Sequence, residues 1–333
     1  MLADKRQKRF LLGAGLVLSS CLLFTFRLPI ALQISSTLKF IPPNYPSDVN
    51  IPCNESCYTI NSKHAIWNWH YFNTSSSSNS STVPNTNTNT NSSKPTVLIA
   101  QFSGFKSAYK LLLETATPVH KAYASKWNYD FATATGVLMG CLDWHSAYNK
   151  IGIIYEAFNR QYDILLLMDS DAMIVDFDIP LTSMLQPQTM ITAQFAGHPE
   201  TPENLNNGVM VINLRHPKLH AVWERWYKNF QEVLPEQIKI AKQNKKSIKG
   251  NSNDQTLLHR ALRAEIPNVE DRFIMINRTD GPFQYSHGTF IKHFIRGEFD
   301  FRLGWDSNNS TGSRLSRMQQ EANSTIEKFP EFF

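Results

Sequence analysis

The run Ile164-Leu165-Leu166-Leu167-Met168 is apolar without a break and stops at Asp169-Ser170-Asp171-Ala172. Large apolar residues in succession leave no polar face, so the segment reads as a strand covered on both sides, of the kind a parallel sheet carries at its centre. In open α/β sheets the carboxyl ends of such strands face the crevice that binds ligands. Two aspartates separated by one residue at that end offer hard oxygen ligands, which suit a divalent cation that carries phosphates. Asp-x-Asp also occurs in turns, because aspartate bonds its own backbone there. Here, however, the carboxylates abut a buried run, where unpaired charge is costly and a cation partner is expected.

Around this strand the pattern alternates. Strand-like Thr96 to Phe102 leads to a helical stretch near Ala108 to Lys126, and strand-like Tyr129 to Thr135 leads to a helix near Ser146 to Arg160. Such alternation predicts right-handed crossovers and an α/β fold whose mostly parallel sheet is flanked by helices. Met190 to Phe195 reads as a further strand, and Asn206-Asn207-Gly208-Val209 as a turn entering a buried strand that ends near Asn213. Glycine at such a place permits either a tight turn or a close approach of backbone to a ligand. Leu219 to Phe230, with Trp223, Trp226 and Tyr227, reads as a core-packed helix rather than a sugar platform. About 240 residues follow Pro95, enough for one domain with a substantial core.

The amino terminus places that domain. Lys5, Arg6, Lys8 and Arg9 precede an uncharged apolar run from Phe10 to Phe26, long enough for roughly 25 Å of hydrocarbon and suited to a thin early-secretory membrane. Basic residues stay cytoplasmic. The reading is therefore a cytoplasmic tail over 1–9, a transmembrane signal anchor over 10–32 with single-pass type II topology, a luminal stem over 33–94 and a catalytic domain over 95–333. A cleaved signal peptide is the competing reading, but its apolar core is usually about 7 to 15 residues. Ser, Thr and Asn dominate from Asn73 to Lys94, a composition that buries too little apolar area to offset chain entropy. The stretch before it, with Trp67, Trp69, Tyr71 and Phe72, is aromatic enough to dock on the domain instead.

Asn-x-Ser/Thr triplets at Asn54, Asn73, Asn79, Asn91, Asn277, Asn308, Asn309 and Asn323 agree with a luminal domain, Asn277 most usefully because it lies outside the low-complexity tract. Cys53 and Cys57 bracket a short loop suited to closure in an oxidising lumen, Cys21 lies in the anchor and Cys141 stands alone. The net charge of +5 draws on the basic tail and on Lys242, Lys245, Lys246 and Lys249. That lysine run reads as a solvated face, so no nucleic-acid partner is expected.

A set of ordered blocks from Thr96 to Arg302 carries a family resemblance. Val119-His120-Lys121-Ala122-Tyr123-Ala124 with Tyr129-Asp130, then Lys150, Asp169-Ser170-Asp171-Ala172, Asn206-Asn207-Gly208-Val209, Asp254-Gln255, and Gly288-Thr289-Phe290-Ile291-Lys292-His293-Phe294 follow one another. In this order they resemble the Golgi galactosyl/mannosyl/xylosyltransferases, which include fungal mannan α-mannosyltransferases and plant galactomannan and xyloglucan enzymes. The resemblance implies a GT-A-like, Rossmann-related domain, a nucleotide-sugar donor (UDP- or GDP-sugar), a glycoprotein or polysaccharide acceptor, and a retaining reaction that leaves an α-linkage. It implies metal ligands at Asp169, Asp171 and His293, with Asp169 shared between metal and ribose. Mn²⁺ suits such a mixed carboxylate and imidazole set. Gln101, Asp130, Lys150, Asp169, Asn206 and Gly208 fall to the nucleotide sugar, and Asp254 and Gln255 to the reacting sugar. For Asp254 a helix-capping role is the plain alternative. The chain departs from the family at Asn128, where a glycine is usual, at Asn207, where a smaller residue is usual, and at Ile295-Arg296-Gly297-Glu298 after His293.

Two other readings compete. Haloacid-dehalogenase-like phosphatases also end a buried strand with Asp-x-Asp, but on the first strand of their domain and with Thr or Val where this chain has Met173. A luminal lectin-like or degenerate transferase would bind glycans without turnover.

Overall fold

The structure, a computed structural model, describes residues 65–72, 94–105, 107–196, 205–242, 252–266, 273–276, 281–284, 287–295, 299–300, 304–305 and 311–333. All of them fall within the unit Asn44–Phe333. The expected tail and anchor, the Ser/Thr/Asn tract over 73–93 and the triplets at Asn54, Asn277, Asn308 and Asn309 lie outside the described residues. Among the described residues no helix is long and apolar enough to cross a membrane.

The chain enters the fold as β1 (Ala65–His70), then β2 (Val97–Ser103), α1 (Ser107–Trp127), β3 (Asp130–Gly136), a 3-10 turn over Asp143–Tyr148, and α2 (Asn149–Asn159). It continues through β4 (Ile164–Asp169), β5 (Ala172–Ile174), β6 (Ile191–Phe195), β7 (Leu205–Asn213), α3 (Leu219–Lys242), α4 (Asp254–Glu265), β8 (Phe273–Ile276), β9 (Phe283–Gln284) and β10 (Ile291–His293). A two-stranded ribbon, β11 (Phe299–Asp300) and β12 (Gly304–Trp305), precedes the C-terminal helix α5 (Thr311–Lys328).

Seven strands form one mixed sheet in the order β1-β3-β2-β4-β7-β6-β8. The strands β3, β2, β4, β6 and β8 run one way, while β1 and β7 run against them. The expected mostly parallel α/β sheet is thus present, with the antiparallel β7 inserted beside β4. The aromatic segment before the low-complexity tract is an edge strand: β1 pairs along β3 from Ala65↔Gly136 to His70↔Phe131. Trp67 and Trp69 pack against the core, and Arg160 lies 4.0 Å over the Trp69 ring.

Helices cover both faces. Leu112, Val119 and Tyr123 of α1 and Met318 of α5 pack on one side, with the alternate strand residues Ile99, Leu166 and Val211. Ile151 and Ile154 of α2, Trp226 of α3 and Leu258 of α4 pack on the other, with Leu98, Leu165, Leu167 and Met210. The unbroken apolar run of β4 is explained by this double coverage, since successive side chains point to opposite faces and both are core. The aromatic helix α3 is core-packed as expected, and the Trp223 indole donates to Ile151 O at 2.9 Å. It runs on past Phe230 to Lys242, beyond the aromatic segment that identified it.

Strand β2 pairs with β3 on one side and with β4 on the other. The chain order therefore reverses between β2 and β4, which opens a crevice at their carboxyl ends. Phe102 and Asp169 are in register at that end.

Candidate functional site

Register brings the parts together. Asp169 closes β4, and Asp171 lies between it and β5. The short strand β10 pairs antiparallel with β5, His293 opposite Ala172, and the Phe294 N–H donates to Asp171 O at 2.7 Å. On the other flank β7 pairs with β4 as far as Met168↔Val209, which sets Gly208 beside Asp169. The expected turn at Asn206-Asn207-Gly208 is instead the start of β7. A bulge there, where partners jump from Ala193↔Met210 to Gln194↔Asn206, leaves Asn207, Gly208 and Val209 outside the β6 ladder. Bulges of this kind re-aim side chains next to sites.

Ligating atoms of Asp169, Asp171 and His293 all lie within 4.8 Å of one another. A Cβ on Gly208 would stand 2.2 Å from His293 Cε1, 2.7 Å from Nε2 and 2.9 Å from Asp169 Oδ2. The glycine is required by close approach of these two groups. The outer carboxylate oxygens are taken: Lys150 Nζ lies 2.9 Å from Asp169 Oδ1, and Arg314 Nη1 lies 2.6 Å from Asp171 Oδ2. Asp171 Oδ1 faces His293 Nε2 at 3.2 Å, and Asp169 Oδ2 flanks the same imidazole across Gly208. Two carboxylates and an imidazole so arranged fit Mn²⁺ or a similar divalent cation by donor chemistry. Burial raises the Asp169 carboxyl, and the neighbouring Asp171 charge adds to that rise although Lys150 opposes it. Burial alone would raise Asp171 as well, but the His293 hydrogen bond and the Arg314 charge outweigh it and hold that carboxyl low.

Lys150 is buried at the start of α2 and committed to carboxylates, with Asp254 Oδ2 at 2.7 Å as well as Asp169 and with Asn207 Oδ1 at 3.2 Å. Burial would lower its pKa, yet the two carboxylates overcompensate and raise it. The Asn207 side chain also donates to Asp254 Oδ2 at 2.8 Å, and its backbone N–H donates to Gln255 Oε1 at 3.3 Å. Asp254 and Gln255 occupy the first turn of α4. The cap of that helix is Asn253, whose side chain accepts from the Thr256 N–H, so Asp254 does not serve as the cap.

Gln101 stands under the site, fully buried. Its Nε2 donates to Asp169 O and Ala172 O, each at 2.9 Å, clamping the ends of the Asp-Ser-Asp-Ala turn. Its Oε1 meets His120 Nδ1 at 3.0 Å, while His120 Nε2 accepts from the Ile174 N–H. The second bond fixes the tautomer, so Nδ1 carries the proton given to Gln101. Gln101, expected at the nucleotide sugar, is therefore turned toward the backbone beneath it. Asp130 lies at the opposite end of the sheet, where it accepts from Phe72 N–H at 3.0 Å and Tyr162 O–H at 2.8 Å. The structure does not bring it to the crevice.

The crevice is a cleft of about 660 Å³ lined by Lys150, Asp169, Asp171, Asn206, Asn207, Asp254, Gln255 and His293. Seven of the ten residues expected at the site thus line it, and Gly208 lies against His293 and Asp169 beside them. Tyr109, Trp144 and Arg314 also line it and were not foreseen. Another hollow, about 770 Å³, opens at the amino ends of β2 and β4 around the Asp163–Arg215 ion pair. The cluster of three ligating side chains lies in the first cleft, not there. Cys141, expected to stand alone, is disulfide-bonded. The expected Cys53-Cys57 closure lies outside the described residues.

No family model and no curated protein sequence matches the chain. Among solved structures it is similar to a glycosyltransferase involved in glycosylation of the major capsid of PBCV-1, at 15% identity over 68% of this chain and 100% of that one, with a TM-score of 0.44. It is also similar to the apo-form glycosyltransferase GlyE of Streptococcus pneumoniae TIGR4, at 12% identity over 71% of this chain and 63% of that one, with a TM-score of 0.37. A third is the galactosyltransferase LgtC in complex with donor and acceptor sugar analogues, at 13% identity over 71% of this chain and 100% of that one, with a TM-score of 0.33. Likeness this remote assigns no role to any residue of this chain.

Proposed function

We propose that this protein is a metal-dependent glycosyltransferase of GT-A type that moves a hexose or pentose from a UDP- or GDP-sugar to a glycan acceptor. The observation that carries the reading is the convergence of Asp169, Asp171 and His293 around Gly208, in the crevice at the point where the strand order reverses. Asp169, Asp171 and His293 would hold the cation. When bound, such a cation neutralises charge that develops on a departing diphosphate.

The chain's own groups do the rest. Lys150 ties Asp169 to Asp254, so the metal-side carboxylate and the sugar-side carboxylate share one buried cation. Asn207 fixes Asp254 and Gln255 together, and we assign those two to orienting the sugar. Gln101 and His120 hold the turn that carries both metal ligands. We read the reaction as retaining, with an α-linkage, as the family resemblance implies. We place the domain in the Golgi lumen behind a type II anchor at 10–32, on the strength of the apolar run and the Asn-x-Ser/Thr triplets. The triplet at Asn323 lies on α5 with its side chain exposed.

The phosphatase reading has less support. Asp169 ends the fourth strand rather than the first of the fold, and it is ion-paired with Lys150 instead of poised for attack. The test is a panel of UDP- and GDP-sugars offered to the full-length protein with and without Mn²⁺, reading nucleoside diphosphate release with and without glycan acceptors. Release that needs both metal and one donor supports the transferase. Phosphate release from simple phosphomonoesters, with no donor consumed, would support the phosphatase. Glycan binding without any release would support the lectin-like alternative.

A further inference from the structure

The cleft has a charge problem that its expected residues do not solve. Asp143, Asp169, Asp171 and Asp254 contribute four negative charges to its lining, against two positive ones from Lys150 and Arg314, a net of −2 with histidine neutral. One divalent cation only neutralises this, which admits an anionic diphosphate weakly unless a protein cation faces it. All three donors of the Lys150 ammonium are committed, to Asp169, Asp254 and Asn207. Among the described residues that line the cleft, Arg314 is the other lysine or arginine.

Arg314 comes from α5, near the carboxyl end of the chain, and crosses to the site because that helix is fixed beside β10. Lys292 pairs with Glu321 at 2.7 Å, Arg317 lies 5.7 Å over the Phe294 ring, and Met318 and Ala322 enter the core. The guanidinium is buried between Asp171 Oδ2, at 2.6 Å, and the Tyr109 ring, 5.3 Å from its centroid. A guanidinium carries five N–H donors in a fork that matches phosphate as well as carboxylate. A cation shared by Asp169 and Asp171 would draw charge from Asp171 and weaken its hold on the arginine.

Resting on the transferase reading, we propose that Arg314 is a binding residue for the nucleoside diphosphate. It supports Asp171 on one side of the metal and offers donors to the phosphates on the other, with Tyr109 as the surface along which it turns. This makes α5 part of the donor site.

The test titrates full-length wild type, Arg314→Lys and Arg314→Gln with Mn²⁺ alone, then with UDP, GDP and the corresponding monophosphates at saturating Mn²⁺, after thermal melts confirm folding. Arg314→Gln is expected to weaken diphosphate binding by about tenfold to a hundredfold, the worth of one or two charge-assisted hydrogen bonds. Monophosphate binding and Mn²⁺ affinity should change by less than about threefold, and Arg314→Lys should recover part of the loss, as a point charge without the fork does. Diphosphate affinity within about twofold of wild type in both variants would overturn the proposal. So would a loss matched by an equal loss of Mn²⁺ affinity, which would make Arg314 a support for Asp171 alone. If wild type itself binds no diphosphate with Mn²⁺ present, the transferase reading fails and takes this proposal with it.

Discussion

A methyl group added to Gly208 would stand 2.2 Å from Cε1 of His293, closer than any van der Waals contact allows. The same methyl would meet Asp169 Oδ2 at 2.9 Å, so one hydrogen on a glycine keeps two ligand groups within reach of one cation. Gly208→Ala is therefore expected to lower Mn²⁺ affinity by about tenfold or more, the range seen when a ligand's support is disturbed. Isothermal titration with Mn²⁺ measures it. Unchanged affinity would mean that His293 is not held where the structure places it.

Lys150 is the buried cation between two carboxylates. Lys150→Met leaves Asp169 and Asp254 facing each other without it, and should destabilise the fold by about 3 to 5 kcal/mol. Urea unfolding gives the figure. Combining it with Asp254→Asn should recover part of the loss, because one of the two uncompensated charges is then gone.

His120 and His145 are kept neutral by burial, which pushes each pKa down to about 3 from 6.5. Between those values the unfolded chain binds the proton and the folded chain does not, so stability falls as pH falls from 6.5 toward 3. Each histidine contributes about 1.4 kcal/mol per pH unit in that window and no slope above it. His145→Asn keeps an acceptor for the Cys141 N–H and removes one titrating group. Urea titrations at several pH values between 4 and 7 should show the slope reduced by about that amount. An unchanged slope would mean that His145 is not buried neutral.

Asn128 follows α1 with φ of 56°, a left-handed conformation in which glycine carries no penalty and asparagine a small one. Asn128→Gly should be neutral or stabilising by up to about 1 kcal/mol, whereas Asn128→Val should be destabilising by about 1 to 2 kcal/mol. Thermal melts of both variants decide it. Asparagine at this position, where the resembled transferases usually carry glycine, is thus a residue the backbone tolerates.

What could be read before folding follows from the range of each signal. The apolar run of β4 and its two aspartates are local, so the strand, its burial and the carboxylates at its end were all legible. Asp130 came from the family resemblance alone: it stands at the amino end of its strand, and parallel β3 puts that end away from the crevice. Gln101 lies in the right strand, yet its amide points down to the turn it clamps, a direction set by pleat and packing. His293 enters through a three-residue strand paired with residues more than a hundred positions away, which no periodicity reveals. Arg314 gave no local sign, because an arginine in an amphipathic helix is ordinarily solvated and only the docking of α5 buries it.

The central claim is that Asp169, Asp171 and His293 hold a cation through which a nucleotide sugar is bound. Its most direct test is calorimetric titration of UDP- and GDP-sugars into the full-length protein with Mn²⁺ and with chelator, for wild type and for Asp171→Asn, each shown to be folded. The account predicts binding of one donor that needs the metal and that is lost in Asp171→Asn. Donor binding that is equally tight with chelator, or that survives in Asp171→Asn, would contradict it.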